Sequence, residues 1–474
     1  MKDLSVFLIT LSLPFVLLSG WERTYTVSGY DIVARSVIQT ADGGYACAGW
    51  AEQHGSVSIF LMKTDWRGDT LWTRFYEGLA TDPEPRWNRA YSISQTVDGG
   101  YIIVGSSSCY GAEGINVLLL RTNQYGEMMW ARTYYGSFLC EGLSVVQTVD
   151  EGFIFTAFTL TDGIFVVRTD PCGDTLWSRN YLSYHEGAGI SVLPSPDGGF
   201  FIVGYTLLGS FQACWLRIDD DGELLSENFY GLPSSNVFAV SADVTHDRGL
   251  VIACWVDYLP DDTLDFLIIR TDRSGDIVWS NRYSLGALDI VGAIVQAHDG
   301  GYVLAGGYYP LDDTSALHSV MDVFLMKTDY DGNIDWIRFF GGDYYDCAYS
   351  LFHTADSGYI IAGGYDERRE HTDAKLYLIK TDSEGHTPII ERAAFIPMKI
   401  SLDVSPNPFN CGVKISANIP LPHIEILDLM GRLIDKLEIG EQVWRPEASI
   451  GSGVYLVRAT VGEQSITKRV VYLK

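Results

Sequence analysis

A unit of about fifty residues that recurs seven times constrains this chain more than any other feature. A sequence with that period builds one supersecondary structure repeatedly and buries each copy against the next. The first signal in each copy is a turn, Asp-x-Gly followed by an apolar or aromatic residue. It begins at Asp42, Asp98, Asp150, Asp197, Asp247, Asp299 and Asp356, at spacings of 56, 52, 47, 50, 52 and 57 residues. Roughly 20 residues further on comes a second turn signal, Lys/Arg-Thr-Asp-x-x-Gly. Its copies are residues 63–68, 121–126, 168–173, 217–222, 270–275, 327–332 and 380–385, with Asn123 and Ile218 as the departures. Four residues after the glycine stands a tryptophan in five copies: Trp72, Trp130, Trp177, Trp279 and Trp336.

Each copy reads as four short strands. In the second they are AYSISQT, GYIIVGS, NVLLLRT and MMWARTYY. The segments are β-branched or aromatic and bounded by Gly/Asp turns, and no sustained helical period lies between them. Four strands per repeat predict a seven-bladed β-propeller over residues 21–395, in an all-β chain. An open stack of blades leaves two bare sheets and unpaired edges, so the ring must close. The fourth strand carries Trp-x-Arg-x-Tyr, as in Trp72, Arg74, Tyr76, and its period of two puts all three on one face. The same pattern occurs once more as Trp21, Arg23, Tyr25, before the first complete copy, while the seventh copy ends as TPIIERAAF without tryptophan. The N-terminal strand is therefore expected to pair with the third strand of copy seven and tie the ring shut.

Small residues sit eight before each turn Asp (Ala34, Ala90, Gly142, Gly189, Ala239, Val291, Ala348). Two places later come Ser36, Ser92, Ser144, Ser191, Ser241, Ala293 and Ser350. These belong on the first strand, where blades crowd toward the axis, and the serines suit local packing and backbone hydrogen bonding. Turns between strands one and two and between three and four are uniformly tight. The connections at the other end vary, with insertions at residues 77–89, 257–265, 308–322 and 365–373. What every repeat shares is explained by the repeat, so function is expected on the variable end. Candidate binding residues there are Arg86, Trp87, Arg89, Tyr258, Asp261, Tyr308, Tyr309, Asp312, Tyr344, Tyr345 and Arg368. Aromatics beside charged groups stack on sugar rings or form protein hot spots.

No catalytic residue nominates itself. The nine histidines form no HExxH and no GxSxG is present. Asp219-Asp-Asp-Gly-Glu223 and Asp329-Tyr-Asp-Gly-Asn333 fall short of a calcium loop and coincide with the repeat's own turn. The reading is no cofactor, with weak Ca2+ binding as the minor option. A formal charge of −27 argues against nucleic acid and anionic membranes. The apolar run from Leu4 to Leu18 behind Lys2 reads as a signal peptide over residues 1–20. Eight scattered cysteines without CxxC give no disulfide framework, with a Cys109–Cys140 bridge left open.

The Thr-Asp-x-x-Gly-x-x-x-Trp signal resembles the Trp-docking repeat of quinoprotein-like propellers and, loosely, the Asp-box of sialidases. Its spacing departs from both, so only a structural role is implied, a Trp packed between blades. The last 79 residues, 396–474, carry Ser405-Pro-Asn-Pro-Phe-Asn410, Gly431-Arg432, Gly451-Ser-Gly-Val-Tyr455 and a final strand with Lys468-Arg-Val-Val471. This tail resembles the type A C-terminal sorting domain of the type IX secretion system and is similar to the FlgD-type Ig-like domain. The resemblance implies a small Ig-like β-sandwich, contact with the secretion machinery, and display on the outer-membrane surface of a Gram-negative bacterium or release from it. Together these readings give a secreted, monomeric, non-enzymatic binding protein for an extracellular glycan or protein. The alternative is a polysaccharide hydrolase or lyase with three or more charged side chains converging at the axial mouth.

Overall fold

Each repeat becomes a sheet of four antiparallel strands. In the first these are Asp31–Gln39, Tyr45–Gln53, Ser56–Thr64 and Thr70–Tyr76. The two middle strands are apolar almost without alternation because both of their faces lie against neighbouring sheets, and Ser56–Thr64 is buried at eight of its nine positions. The fourth strand is outermost and keeps exposed positions. The computed structural model describes residues 20–78, 86–110, 114–134, 140–159, 162–183, 185–258, 264–286, 288–309, 321–341, 345–366, 375–387, 402–417, 424–437, 443–447, 449–461 and 464–474. The apolar leader lies outside the described residues. No helix among those described is long and apolar enough to cross a membrane.

Six blades occupy residues 31–76, 88–134, 140–181, 187–230, 235–283 and 288–340. The seventh draws three strands from residues 345–381, and its fourth is Trp21–Tyr25. That strand runs antiparallel to Lys375–Thr381, with Trp21 opposite Lys380, Arg23 opposite Leu378 and Tyr25 opposite Leu376. The ring closes as the sequence pattern requires. A core joining Ile32, Ala34 and Phe60 of blade one to Ile360, Ala362 and Leu378 of blade seven seals the last seam. Blades three and four additionally share a short backbone ladder, Phe158–Thr159 with Gly187–Ala188.

Three repeated contacts hold blade to blade. The first-strand serine accepts a backbone N–H from the next blade: Ser36 from Ile93, Ser92 from Val145, Ser144 from Val192, Ser241 from Ile294, and Ser350 from Val37 across the closing seam. The fourth-strand tyrosine donates to the carbonyl of the next blade's turn glycine, as in Tyr76 to Gly126 at 2.7 Å and Tyr134 to Gly173 at 2.6 Å. Over the same glycine lies the tryptophan: Trp72 over Gly126, Trp130 over Gly173, Trp279 over Gly332. The N-terminal strand makes the same grip on blade one, with Trp21 over Gly68 and the Tyr25 hydroxyl 2.7 Å from its carbonyl oxygen. In blade four, which lacks the fourth-strand tryptophan, Trp215 of the third strand covers Gly275.

Within a blade the two turn signals meet. The buried cation opening Lys/Arg-Thr-Asp reaches back to the Asp of the first turn: Lys63 to Asp42, Arg121 to Asp98, Arg168 to Asp150, Arg270 to Asp247, Lys327 to Asp299 and Lys380 to Asp356. Blade four departs, and there Asp197 pairs with Arg248 of blade five. All eight cysteines are thiols, so Cys109 and Cys140 are not bridged.

The C-terminal residues form two facing sheets of the Ig-like kind. One contains Leu402–Ser405, Val413–Ala417 and Val443–Trp444. The other contains Ile424–Leu427, Leu433–Leu437, Gly453–Val461 and Gln464–Tyr472. Trp444, Phe409, Ile426, Val457 and Val470 fill the space between them.

Candidate functional site

The first strand of every blade is the innermost, and each carries a β-bulge between the small residue and the position two further on. The ladder shifts at Ala34/Ser36, Ala90/Ser92, Gly142/Ser144, Gly189/Ser191, Ala239/Ser241, Val291/Ala293 and Ala348/Ser350. A bulge leaves one residue out of the pairing and re-aims its side chain. The seven bulged residues are Arg35, Tyr91, Leu143, Ile190, Val240, Gly292 and Tyr349, all half-buried. The repeat thus fixes a ring of positions around the axis while leaving their chemistry free to differ.

These residues touch across the seams. The Arg35 guanidinium of blade one lies 4.4 Å from the ring centre of Tyr349 in blade seven, 5.2 Å from Trp50 in its own blade and 5.8 Å from Tyr91 in blade two. Arg89, two residues nearer the variable end than Tyr91, lies 4.0 Å from Trp87 and 4.8 Å from Trp50. Each such contact contributes about 0.5–2 kcal/mol according to how far it is desolvated. The Tyr91 hydroxyl donates to Glu141 of blade three at 3.1 Å. Burial, and then the Glu141 carboxylate, raise the Tyr91 phenol above its ordinary value. Tyr205 of blade four is pushed to about 12, first by burial and then by Glu186 and Glu141. It packs at 5.1 Å on Phe238 of blade five, and Phe211 lies 4.7 Å from Phe238. A belt of arginine and aromatic side chains therefore runs from blade seven through blade five, with the Glu141 and Glu186 carboxylates among them, while the bulge positions of blades three to five carry the apolar Leu143, Ile190 and Val240.

Of the residues expected at the variable end, Trp87 and Arg89 join this belt. Arg86 stands beside it: its carbonyl accepts Val57 N–H, and its guanidinium lies 3.9 Å from Glu77. Tyr309 and Tyr345 pair with each other across blades six and seven, ring centres 6.0 Å apart. Tyr308 is not a loop residue. It lies in the core between blades five and six, its ring tilted against Phe339 with centres 4.4 Å apart, because its strand runs on to position 309. Tyr258 ends the strand Leu250–Tyr258. Asp261, Asp312, Tyr344 and Arg368 lie outside the described residues. Arg35, Trp50, Tyr91, Glu141 and Tyr349 were not singled out by sequence. The signal that finds Arg35, Tyr91 and Tyr349 is the changing middle residue of the recurring small-x-Ser triplet, and nothing in the repeat marks Trp50 or Glu141.

Elsewhere the chemistry is structural. Asp219 and Asp329 use their carboxylates to accept N–H groups of their own turns, from Asp221, Glu223 and Asn333. Among the described residues no group of three or more His, Cys, Asp or Glu is arranged to hold a metal ion. A cavity of about 290 Å³ lies beside the N-terminal strand, walled by Val27, Ile32, Phe60, Met62 and Phe75. Its lining has no charged side chain, and it belongs to the closing seam rather than the axis.

Residues 403–473 match the family model described as the secretion system C-terminal sorting domain. A search of curated protein sequences returned no match. Among solved structures the chain is similar to a protein of unknown function from Bacteroides caccae, with 13% identity, TM-score 0.38, and coverage of 66% of this chain and 94% of that one. It is also similar to Raptor from Chaetomium thermophilum, with 9% identity, TM-score 0.46, and coverage of 76% and 30%. A third similarity is to BBS1N, solved in complex with ARL6DN, with 9% identity, TM-score 0.45, and coverage of 78% and 99%. Residues 403–473 thus carry a secretion system C-terminal sorting domain, which marks a protein carried by the type IX route to the cell surface or the extracellular space.

Proposed function

We propose that the propeller is a binding module displayed at or beyond the cell surface, with its ligand seat at the axial mouth of the variable end. One observation carries this reading. Side chains from blades seven, one and two converge on Arg35 where the repeat calls for no particular residue. Positions that differ from blade to blade, held on bulges of a rigid ring, are where a propeller acquires specificity without disturbing its packing. Rigid aromatic faces with a charge held between them form a preorganised recognition surface. The sorting domain is the delivery device and the ring the working part.

The test is a glycan and protein array probed with the full chain and with Trp87→Ala. The reading expects at least one ligand that the variant loses while its melting midpoint is kept. Binding that is indifferent to Trp87→Ala counts against it.

A second reading has its own support. Arg35, Arg89 and Glu141 are three charged groups converging at the mouth, with the Tyr91 hydroxyl on Glu141. An arginine can neutralise a uronate carboxylate while the Glu141 carboxylate takes the C5 proton, the C–H electron pair forming the C4–C5 double bond as the C4–O bond breaks and the Tyr91 hydroxyl giving its proton to the leaving oxygen, which is lyase chemistry. Release of unsaturated oligosaccharide from polygalacturonate, abolished by Tyr91→Phe, would establish that reading, and its absence leaves the binding module.

A further inference from the structure

Resting on the binding reading, we infer that the mouth selects an anionic polysaccharide, with the acidic group of one sugar received by Arg35 and neighbouring pyranose faces laid on the surrounding aromatic rings.

With 60 carboxylate side chains against 33 Lys and Arg, acids outnumber cations, and the cations of the inner strands that are buried sit on one. Six blades place a buried Lys or Arg on an Asp. On the outer rim Arg23 pairs with Asp69 and Arg179 with Glu223. Arg35 follows neither pattern. Among the described residues it makes no ion pair and no hydrogen bond, and its contacts are three ring faces from three blades. Arg89 is held between Trp50 and Trp87 beside the Tyr91 hydroxyl, with its Nε buried and without a partner among the described residues. Aromatic faces orient a guanidinium but leave its in-plane N–H donors unused, and those donors match a carboxylate or sulfate bidentately.

The surroundings favour a sugar over other anions. A net charge of −27 repels any polyanion as a whole, an acidic polysaccharide included, so the attraction at the mouth must be local and short-ranged and the choice of ligand rests on the aromatic faces. Trp50, Trp87, Tyr91 and Tyr349 offer flat apolar faces to the C–H face of a pyranose. Glu141, already accepting from Tyr91, has oxygen capacity left for a sugar hydroxyl. Two arginines set apart across shared Trp50 suit a chain of repeating acidic units better than one isolated charge. Both carboxylate and sulfate-ester polysaccharides carry this chemistry.

The experiment uses the full chain in calorimetric titration against polygalacturonate and alginate with their carboxyl-reduced forms, and against carrageenan with its desulfated form. Polyglutamate serves as the peptide control. The inference expects at least one acidic polysaccharide to bind about tenfold or more tighter than its neutral counterpart. Arg35→Gln should abolish the preference and Arg35→Lys should retain part of it, while Arg74→Gln on the outer rim changes nothing. The pair that responds distinguishes carboxylate from sulfate. Equal binding of acidic and neutral forms, lost in Trp87→Ala, overturns the inference and leaves the binding mouth standing. Binding unaffected by both Arg35→Gln and Trp87→Ala overturns the mouth as well. Binding of polyglutamate alone overturns the polysaccharide assignment, and binding of nothing overturns the inference outright.

Discussion

Arg270 is fully buried, yet its guanidinium reaches Asp247, whose side chain is half exposed. The pair is thus a hydrated carboxylate serving as a cap on a dry cation. Asp247→Ala leaves Arg270 with only the Thr271 carbonyl and the Tyr302 hydroxyl. Stranding a buried charge in this way costs about 3 kcal/mol. The pair between Asp197 and the exposed Arg248 is a surface contact, and Asp197→Ala costs under about 1 kcal/mol. Chemical denaturation of both variants checks the difference. The same capping carboxylates titrate low. Arg168 and Thr148 hold Asp150 at about 2. Thr96 and Arg121 hold Asp98 at about 2 against an opposing burial penalty. Their contribution is present above the ordinary carboxylate range and is lost as pH falls through it toward 2. Asp289 behaves oppositely. Burial raises it to about 7, despite N–H donation from Leu285 and Gly286. Between about pH 4 and 7 the folded chain keeps a proton that the unfolded chain has released, so this group costs stability as pH rises through that window. Asp289→Asn removes the slope. Its melting midpoint relative to the parent should be higher at pH 8 than at pH 5, and an unchanged difference refutes the assignment. The sequence showed the repeat's Asp and its Lys or Arg as two signals, and their union into one ion pair was not legible, because it depends on the register that brings strand three alongside the first turn.

At the scale of the element, the turn between strands three and four is the joint on which each blade grips the next. Gly126 has φ +71°, and a Cβ there would stand 2.6 Å from Trp72. Gly43 has φ +82° with nothing within 4 Å of the same position. Gly43→Ala therefore pays only for the left-handed backbone, about 1 kcal/mol, while Gly126→Ala also displaces the tryptophan and costs about 2–3 kcal/mol. Unfolding of the two variants side by side separates conformation from packing. Much of this was legible: the recurrent Gly and Trp implied docking, and Trp-x-Arg-x-Tyr located the missing strand. The bulge was not, since period-two alternation hides an inserted residue. Arg35 and Tyr349 consequently read as ordinary strand positions between a small residue and a serine.

For the whole molecule, the closed ring turns a linear repeat into a site. Residues 35 and 349 belong to the first and last blades, and only closure brings the Arg35 guanidinium to within 4.4 Å of the Tyr349 ring centre. Repeats explain the scaffold and their differences explain the side chains gathered around Arg35, which is why the scaffold was readable and that cluster less so. The sorting domain supplies the destination, and the ring supplies what is delivered. All of this depends on Trp21–Tyr25 serving as the outer strand of blade seven. Amide hydrogen exchange on the full chain, followed in the peptide covering Trp21–Tyr25, tests it directly. The account predicts slow exchange, matching the peptide that covers Lys375–Thr381 and lost together with it in denaturant. Exchange in Trp21–Tyr25 at the rate of an unstructured peptide, while Lys375–Thr381 stays protected, would contradict it.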